Sequence, residues 1–131
     1  MLVLALDTST PSGSVCLLDR DSILAVRFFD PGFRHSQRLF VEIDELCKLC
    51  GCALKNTDAV AATIGPGSFT GLRIGLAAAK GICFAADKPL VTISTLEVLA
   101  SRLPFSRYPV CAMIDARKGQ VYTATYDMSA E

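Results

Sequence analysis

The sequence predicts an α/β protein: a five-stranded mixed sheet in the order β β β α β α β α, followed by the first hairpin of a truncated second lobe. Three observations carry this expectation. Residues 2–29 hold three apolar runs separated only by tight turn chemistry, which makes an antiparallel meander. Residues 35–103 then alternate amphipathic helical stretches with short buried-type strands, the pattern of helices laid on a sheet. Finally, Pro104 and Pro109 bracket a linker, after which strand, acid, turn and strand repeat the opening theme. The expected organisation is a first lobe over residues 1–104 and a linker with an incomplete second lobe over residues 105–131.

Each element has a local reason. Residues 2–6 are a continuous apolar run, and Asp7-Thr8-Ser9-Thr10-Pro11-Ser12-Gly13 supplies the turn after it. Strands are expected over 14–18 and 23–29, joined by Asp19-Arg20-Asp21-Ser22, and Asp30-Pro31-Gly32 breaks the chain. A helix follows over about 35–50. On a wheel of about 100° per residue, Leu39, Phe40, Ile43, Leu46, Cys47 and Cys50 fall within an arc of roughly 120°. Gly51 suits its C-cap. Residues 59–64 read as a buried strand, and Gly65-Pro66-Gly67-Ser68 turns into a second helix over about 69–86, stopped by Lys88-Pro89. Residues 90–93 form a fifth strand. Ser94 or Thr95 caps a short helix ending near Leu103, and residues 110–115 and 120–126 pair around Ala116-Arg117-Lys118-Gly119.

Composition narrows the function. Thirteen basic residues balance thirteen acidic ones, which argues against a dedicated nucleic-acid or membrane-surface binder. No unbroken run of about 18 apolar residues offers a membrane span. The N-terminus lacks a basic export region, and the six cysteines read as reduced thiols of a cytoplasmic protein. A mean hydropathy of +0.41 is high for a small soluble chain. The surplus concentrates in residues 69–86, where Leu72, Ile74, Leu76, Ala78, Ala79, Ile82, Cys83, Ala85 and Ala86 spread over roughly 200° of the wheel. Small residues there, Gly71 and Gly75 among them, would let another helix approach closely. This helix should pack on the sheet with one side and on another helix with the other: the first helix, a second subunit, or both.

The most informative stretch is Gly65-Pro66-Gly67-Ser68-Phe69-Thr70-Gly71-Leu72-Arg73-Ile74-Gly75. Lying between a strand and a helix, it could bind an anion at the helix start. It is no P-loop, because no Gly-Lys-[Ser/Thr] closes it, and its glycine spacing is not a dinucleotide fingerprint. The alternative is a tight turn with close packing, which its glycines favour. Asp7-Thr8-Ser9 could hold a metal–phosphate, as in phosphotransferases of the actin, Hsp70 and sugar-kinase class, or could simply stabilise its hairpin. His35 is the only histidine and stands at a helix start, so no paired-histidine metal motif exists. Cys47-Lys48-Leu49-Cys50 closes a helix instead of opening one, which favours core packing over redox chemistry.

These residues resemble a known family. Asp7-Thr8-Ser9, the run His35-Ser36-Gln37-Arg38-Leu39, residues 65–75, and Asp115-Ala116-Arg117 with Val121-Tyr122 resemble the TsaB (YeaZ-like) proteins of bacterial tRNA threonylcarbamoyladenosine (t6A) biosynthesis. The resemblance runs from residue 1 to about 127 and implies the actin-like (ASKHA) fold, of which residues 1–104 match the N-terminal lobe. Family members are longer, so the chain is read as their N-terminal portion. The resemblance implies a non-catalytic scaffold that supports a TsaD-like transferase, with a TsaE-like ATPase joining them. ATP and metal would be used by those partners, tRNA would be met through the complex, and the chain would form a homodimer when alone. Pairing would use the first two helices, with His35, Arg38, Leu39, Glu42, Leu72, Leu76, Ala79, Ile82 and Cys83 at the interface. Asp7, Thr8 and Ser9 would be a vestigial phosphate hairpin, and Asp115 and Arg117 the second-lobe motif. The alternative is half of a nucleotide phosphotransferase using Asp7 and the Gly65 turn; peptidase activity, despite older glycoprotease names, is not expected.

Overall fold

A computed structural model describes residues 1–30 and 35–128, without the side chains of His35 and Ser36. The elements run β1 (Leu2–Asp7), β2 (Gly13–Asp19), β3 (Ser22–Phe29), α1 (His35–Leu49), a 3-10 turn (Leu54–Asn56), β4 (Ala59–Thr63), α2 (Phe69–Ala86), β5 (Leu90–Ile93), α3 (Thr95–Ala100), β6 (Val110–Arg117) and β7 (Gln120–Tyr126). Five strands form one sheet in the order β3-β2-β1-β4-β5, and β6 and β7 pair separately. β1, β2 and β3 are antiparallel neighbours, whereas β1, β4 and β5 run parallel. That is the mixed sheet the sequence predicts.

The period of two along the strands decides which side is core. Leu4 lies opposite Leu17 and beside Val60; Leu6 lies opposite Val15 and beside Ala62. All six are buried, and they meet Leu39, Ile43, Leu46 and Cys47 of α1 and Ala78, Ala79, Ile82 and Cys83 of α2. Both long helices therefore cover the same face of the sheet and touch each other. Each leucine buried this way contributes about 1.5–3 kcal/mol relative to leaving it in water. At the sheet's end Phe29 lies against Gly13, where a Cβ would strike the ring.

Helix ends follow local chemistry. Gly51, at φ 62°, closes α1: its N–H donates to the Lys48 carbonyl and the Cys52 N–H to the Cys47 carbonyl. α2 ends at Ala86, as the sequence predicts, capped by Asp87 in the left-handed region (φ 52°) just before Lys88-Pro89, and the Lys88 N–H reaches the Cys83 carbonyl. Among the described residues α2 is the one helix that by length and mean hydropathy could cross a membrane, even with Arg73 and Lys80 in it; here six of its residues are buried in the fold. α3 stops at Ala100, short of the expected Leu103, and Ser94 caps it without a side-chain hydrogen bond. Its core is shared with the hairpin: Leu96, Ala100 and Ala112 are buried together with Val110, Ile114, Ala124 and Tyr126 packed around them. The packing of α3 thus reaches across the boundary expected at residue 104.

Candidate functional site

The glycine-rich stretch and the first hairpin form one locked unit. The β1–β2 turn lies directly on the first turns of α2. A Cβ at Gly67 would collide with the Ser9 carbonyl oxygen, one at Gly71 with the Thr8 carbonyl oxygen, and one at Gly75 with Thr8 Oγ1. Two hydrogen bonds fasten the contact: Ser68 N–H donates to the Ser9 carbonyl at 2.7 Å and Thr8 Oγ1 donates to the Gly71 carbonyl at 2.8 Å. At the start of α2 itself, Gly71 N–H donates to the capping Ser68 Oγ at 3.2 Å. The glycines are therefore required sterically. The element that approaches Gly71 and Gly75 is this turn and not a second helix, which corrects the expectation drawn from their small size.

Asp7 serves the same unit. Its Oδ1 accepts hydrogen bonds from Ser9 N–H (2.9 Å), Ser9 Oγ (2.6 Å) and Thr63 Oγ1 (2.8 Å), so it ties the turn to β4. Thr8 and Ser9 are buried beneath it. Pro66 follows Gly65 through a cis peptide bond, and the Gly65 carbonyl accepts from Thr95 N–H. Across from the turn, Asp115 Oδ1 accepts from the Arg117 N–H at 2.8 Å. These two exposed residues face Ser9, Thr10, Ser68, Phe69 and Thr70 over an open cleft of about 630 Å³.

The second region is the outer surface of α1 and α2. Five residues expected at a partner interface lie instead in the chain's own core: Leu39, Glu42, Ala79, Ile82 and Cys83 are each at most 9% exposed. They pack in the core under the sheet face, because a helix on a sheet must first satisfy its own core, and Ile82 also reaches the edge of the outer surface. Glu42 is the informative case. It accepts from Arg27 Nε of β3 at 2.5 Å and from Arg38 at 2.7 Å, so it joins strand to helix inside the fold. Leu72 and Leu76 are half-buried, and Arg38 is exposed. The His35 side chain lies outside the described residues.

What α1 and α2 present outward is a groove. An open cavity of about 840 Å³ is lined by Phe40, Thr70, Arg73, Ile74, Leu76, Ala77, Ala78 and Lys80. A second of about 370 Å³ shares Phe40 and is lined by Leu54, Lys55, Gly81, Ile82, Ala85 and Ala86. Phe40 is half exposed, Phe84 is 92% exposed, and Arg73 stacks on exposed Phe69 at 5.4 Å from the ring centroid. Sequence reasoning missed Phe40, Ala77, Gly81 and Phe84. The signal was available for Phe40, which sits at the edge of the α1 apolar arc.

Cys47 and Cys83 belong to the core and Cys50 and Cys52 pack against it, whereas Cys111 is exposed. Burial, reinforced by Cys52 and Cys50 nearby, pushes the Cys47 thiol up to about 11. Burial also raises Cys50, Cys16 and Cys83. A redox thiol needs the opposite shift. Among the described residues no group of three His, Cys, Asp or Glu side chains is placed to hold a metal ion.

Comparison with known proteins places this architecture. Residues 32–131 match the family model described as TsaD, tRNA N6-adenosine threonylcarbamoyltransferase. The tRNA threonylcarbamoyladenosine biosynthesis protein TsaB of Haemophilus influenzae is 40% identical over 93% of this chain and 52% of its own length. That of Bacillus subtilis is 34% identical over 96% of this chain and 55% of its own length. The chain thus spans about half the length of the curated relatives it matches. YeaZ from Pseudomonas aeruginosa superposes with a TM-score of 0.87 at 38% identity, covering 98% of this chain and 61% of that one. The five-stranded sheet with its helices is accordingly the actin-like fold expected from the sequence. The chain belongs to the family described as TsaD, tRNA N6-adenosine threonylcarbamoyltransferase, and within it is TsaB-like, as its YeaZ-type fold and t6A-biosynthesis relatives require.

Proposed function

We propose that this chain acts in t6A modification of tRNA as a non-catalytic support subunit, holding a TsaD-like transferase through the outer face of α1 and α2. The observation that carries this reading is the groove around Phe40, Ile74, Ala77 and Ala85, an apolar surface on a helix pair whose inner faces are already filled. Exposed apolar surface of this kind on a folded chain marks a partner site. The catalytic step, with its ATP and metal, belongs in this reading to the TsaD-like and TsaE-like partners. Four polar residues singled out in the sequence are occupied in holding the fold: Asp7, Thr8 and Ser9 fix the turn on α2, and Glu42 fixes α1 on β3. A helix pair held this rigidly offers a partner a preorganised surface, which lowers the ordering cost of association. In the absence of the paralogue the same face pairs two copies. The site of action is the cytoplasm, and tRNA is met through the assembled complex.

The test is reconstitution. TsaD-like and TsaE-like proteins, ATP, threonylcarbamoyl donor components and unmodified tRNA are combined with and without this chain, and t6A is measured by nucleoside mass spectrometry. The reading expects t6A only when the chain is present; equal yields without it would refute the reading. A second reading rests on the cleft between Asp115–Arg117 and Ser9–Thr10, which would make the chain half of a nucleotide phosphotransferase. Micromolar Mg-ATP binding by calorimetry would favour it.

A further inference from the structure

The C-terminal end of α1 brings two thiols together. Gly51, at φ 62°, reverses the chain there, so the Cys52 N–H donates to the Cys47 carbonyl at 3.0 Å and the Gly51 N–H to the Lys48 carbonyl at 3.1 Å. A helix end with this pair of bonds sets the side chains of residues 47 and 52 against each other, a contact that apolar groups ordinarily fill. Here both positions are cysteine, and the two thiols share a hydrogen bond. The sequence motif Cys47-Lys48-Leu49-Cys50 points to a different pair. Residues three apart on a helix hold their Cβ atoms about 5–6 Å apart, whereas a disulfide needs about 3.5–4.5 Å. The hydrogen bond of Cys47 accordingly goes to Cys52 and not to Cys50.

We propose that Cys47 and Cys52 form an oxidation site, closing to an intramolecular disulfide by exchange with a small-molecule disulfide of the glutathione type. Cys52 is half-buried and Cys47 is buried, so Cys52 meets the oxidant first. Its thiolate attacks one sulfur of the small disulfide, forms a mixed disulfide and releases one small thiolate. Cys47 then gives up its proton and attacks the Cys52 sulfur, expelling the second. Each small thiolate takes up a proton lost by a protein thiol. Two protein thiols are thus oxidised to one disulfide, and one small disulfide is reduced to two thiols. Burial, which pushes the Cys47 thiol up to about 11, makes the second step slow. The same burial protects the product. A reductant that reaches the Cys52 sulfur must expel Cys47, which leaves poorly because its thiol is a weak acid. Attack on the Cys47 sulfur, which would expel Cys52 instead, is blocked by burial. The site is therefore a slow latch and not a catalytic redox centre. It ties the last turn of α1 to the chain entering the 3-10 turn at Leu54.

The test is incubation of this chain with excess oxidised glutathione, alkylation of the remaining thiols, tryptic digestion and mass spectrometry. Trypsin cuts after Arg38, Lys48 and Lys55, so the disulfide joins peptide 39–48 to peptide 49–55. Fragmentation between Cys50 and Cys52 places the link without any substitution. The linked pair should form in wild type and in Cys50→Ser, and should be lost in Cys52→Ser and in Cys47→Ala, with circular dichroism checking each fold. No linked pair in folded wild type, glutathione retained on Cys52 with Cys47 free, or a link that maps to Cys50 would overturn the proposal. Dithiothreitol should open the wild-type link about tenfold more slowly than it removes glutathione from Cys52 of Cys47→Ala. Equal rates would overturn the latch. The t6A reading does not use this site and stands or falls separately.

Discussion

Two glycines in one helix should respond with opposite signs to the same substitution. In Gly71→Ala the new Cβ falls on the Thr8 carbonyl oxygen, a backbone atom that cannot rotate away. The β1–β2 turn must lift from α2, straining the Thr8 Oγ1 bond to the Gly71 carbonyl and the Ser68 N–H bond to the Ser9 carbonyl. Overpacking of this kind costs about 1–3 kcal/mol, and each hydrogen bond disturbed adds about 1 kcal/mol. Alanine's better helix propensity returns about 1 kcal/mol. The expected net loss is about 2–4 kcal/mol, a large part of the roughly 5–15 kcal/mol that holds a domain of this size. Gly81→Ala meets open space, carries only the propensity gain, and should stabilise by about 1 kcal/mol. Urea unfolding followed by circular dichroism measures both, with an unchanged slope showing that the same transition is read. Gly71→Ala as stable as wild type, or Gly81→Ala as damaging as Gly71→Ala, would refute the steric account of the glycine stretch.

Other expectations follow from the polar contacts. Glu42→Gln leaves the Arg27 guanidinium, 35% exposed, without its counter-charge; unfolding free energy should fall by about 2 kcal/mol, discounted for the water that both arginines can reach. In a double-mutant cycle the Arg38–Glu42 coupling should stay below about 1 kcal/mol, because Arg38 is 54% exposed. Asp7→Ala deprives Ser9 and Thr63 of a shared acceptor and should cost about 2 kcal/mol in urea unfolding, with raised amide exchange in the β1–β2 turn. The Cys47 thiol, raised from 9.0 to about 11 in the fold, gives a pH dependence. Its contribution is complete below pH 9, where both states are protonated, and is lost as pH rises toward 11, where the unfolded thiol ionises first. Stability should fall by about 2 kcal/mol over that window, and Cys47→Ala should flatten the decline.

Much of the fold was readable because each element carried its own signal. The apolar runs of β1 and β2 between their turns, the α1 arc around Leu39, and the glycine and proline punctuation around α2 all agree with the sheet they build. The resemblance of residues 65–75 supplied the family. What escaped was non-local. Nothing in the sequence says that Thr8 will sit on Gly71 and Gly75, since that contact joins segments far apart in the chain. The wheel of α1 gave Glu42 no reason to be buried, because its partner Arg27 comes from β3. For the same reason the sequence placed core residues such as Leu39 and Ala79 at the interface: apolar character alone does not separate the face turned to the sheet from the face left open. α3 was too short to reveal that its core lies with β6 and β7.

The central claim is that α1 and α2 present the partner face of a t6A support subunit. Hydrogen–deuterium exchange of this chain, with and without a TsaD-like paralogue, tests it most directly. The account predicts slowed exchange on complex formation in residues 35–56 and 69–86, with β6 and β7 unchanged. Protection confined to the β6–β7 hairpin, or exchange identical in the two samples at saturating paralogue, would contradict it.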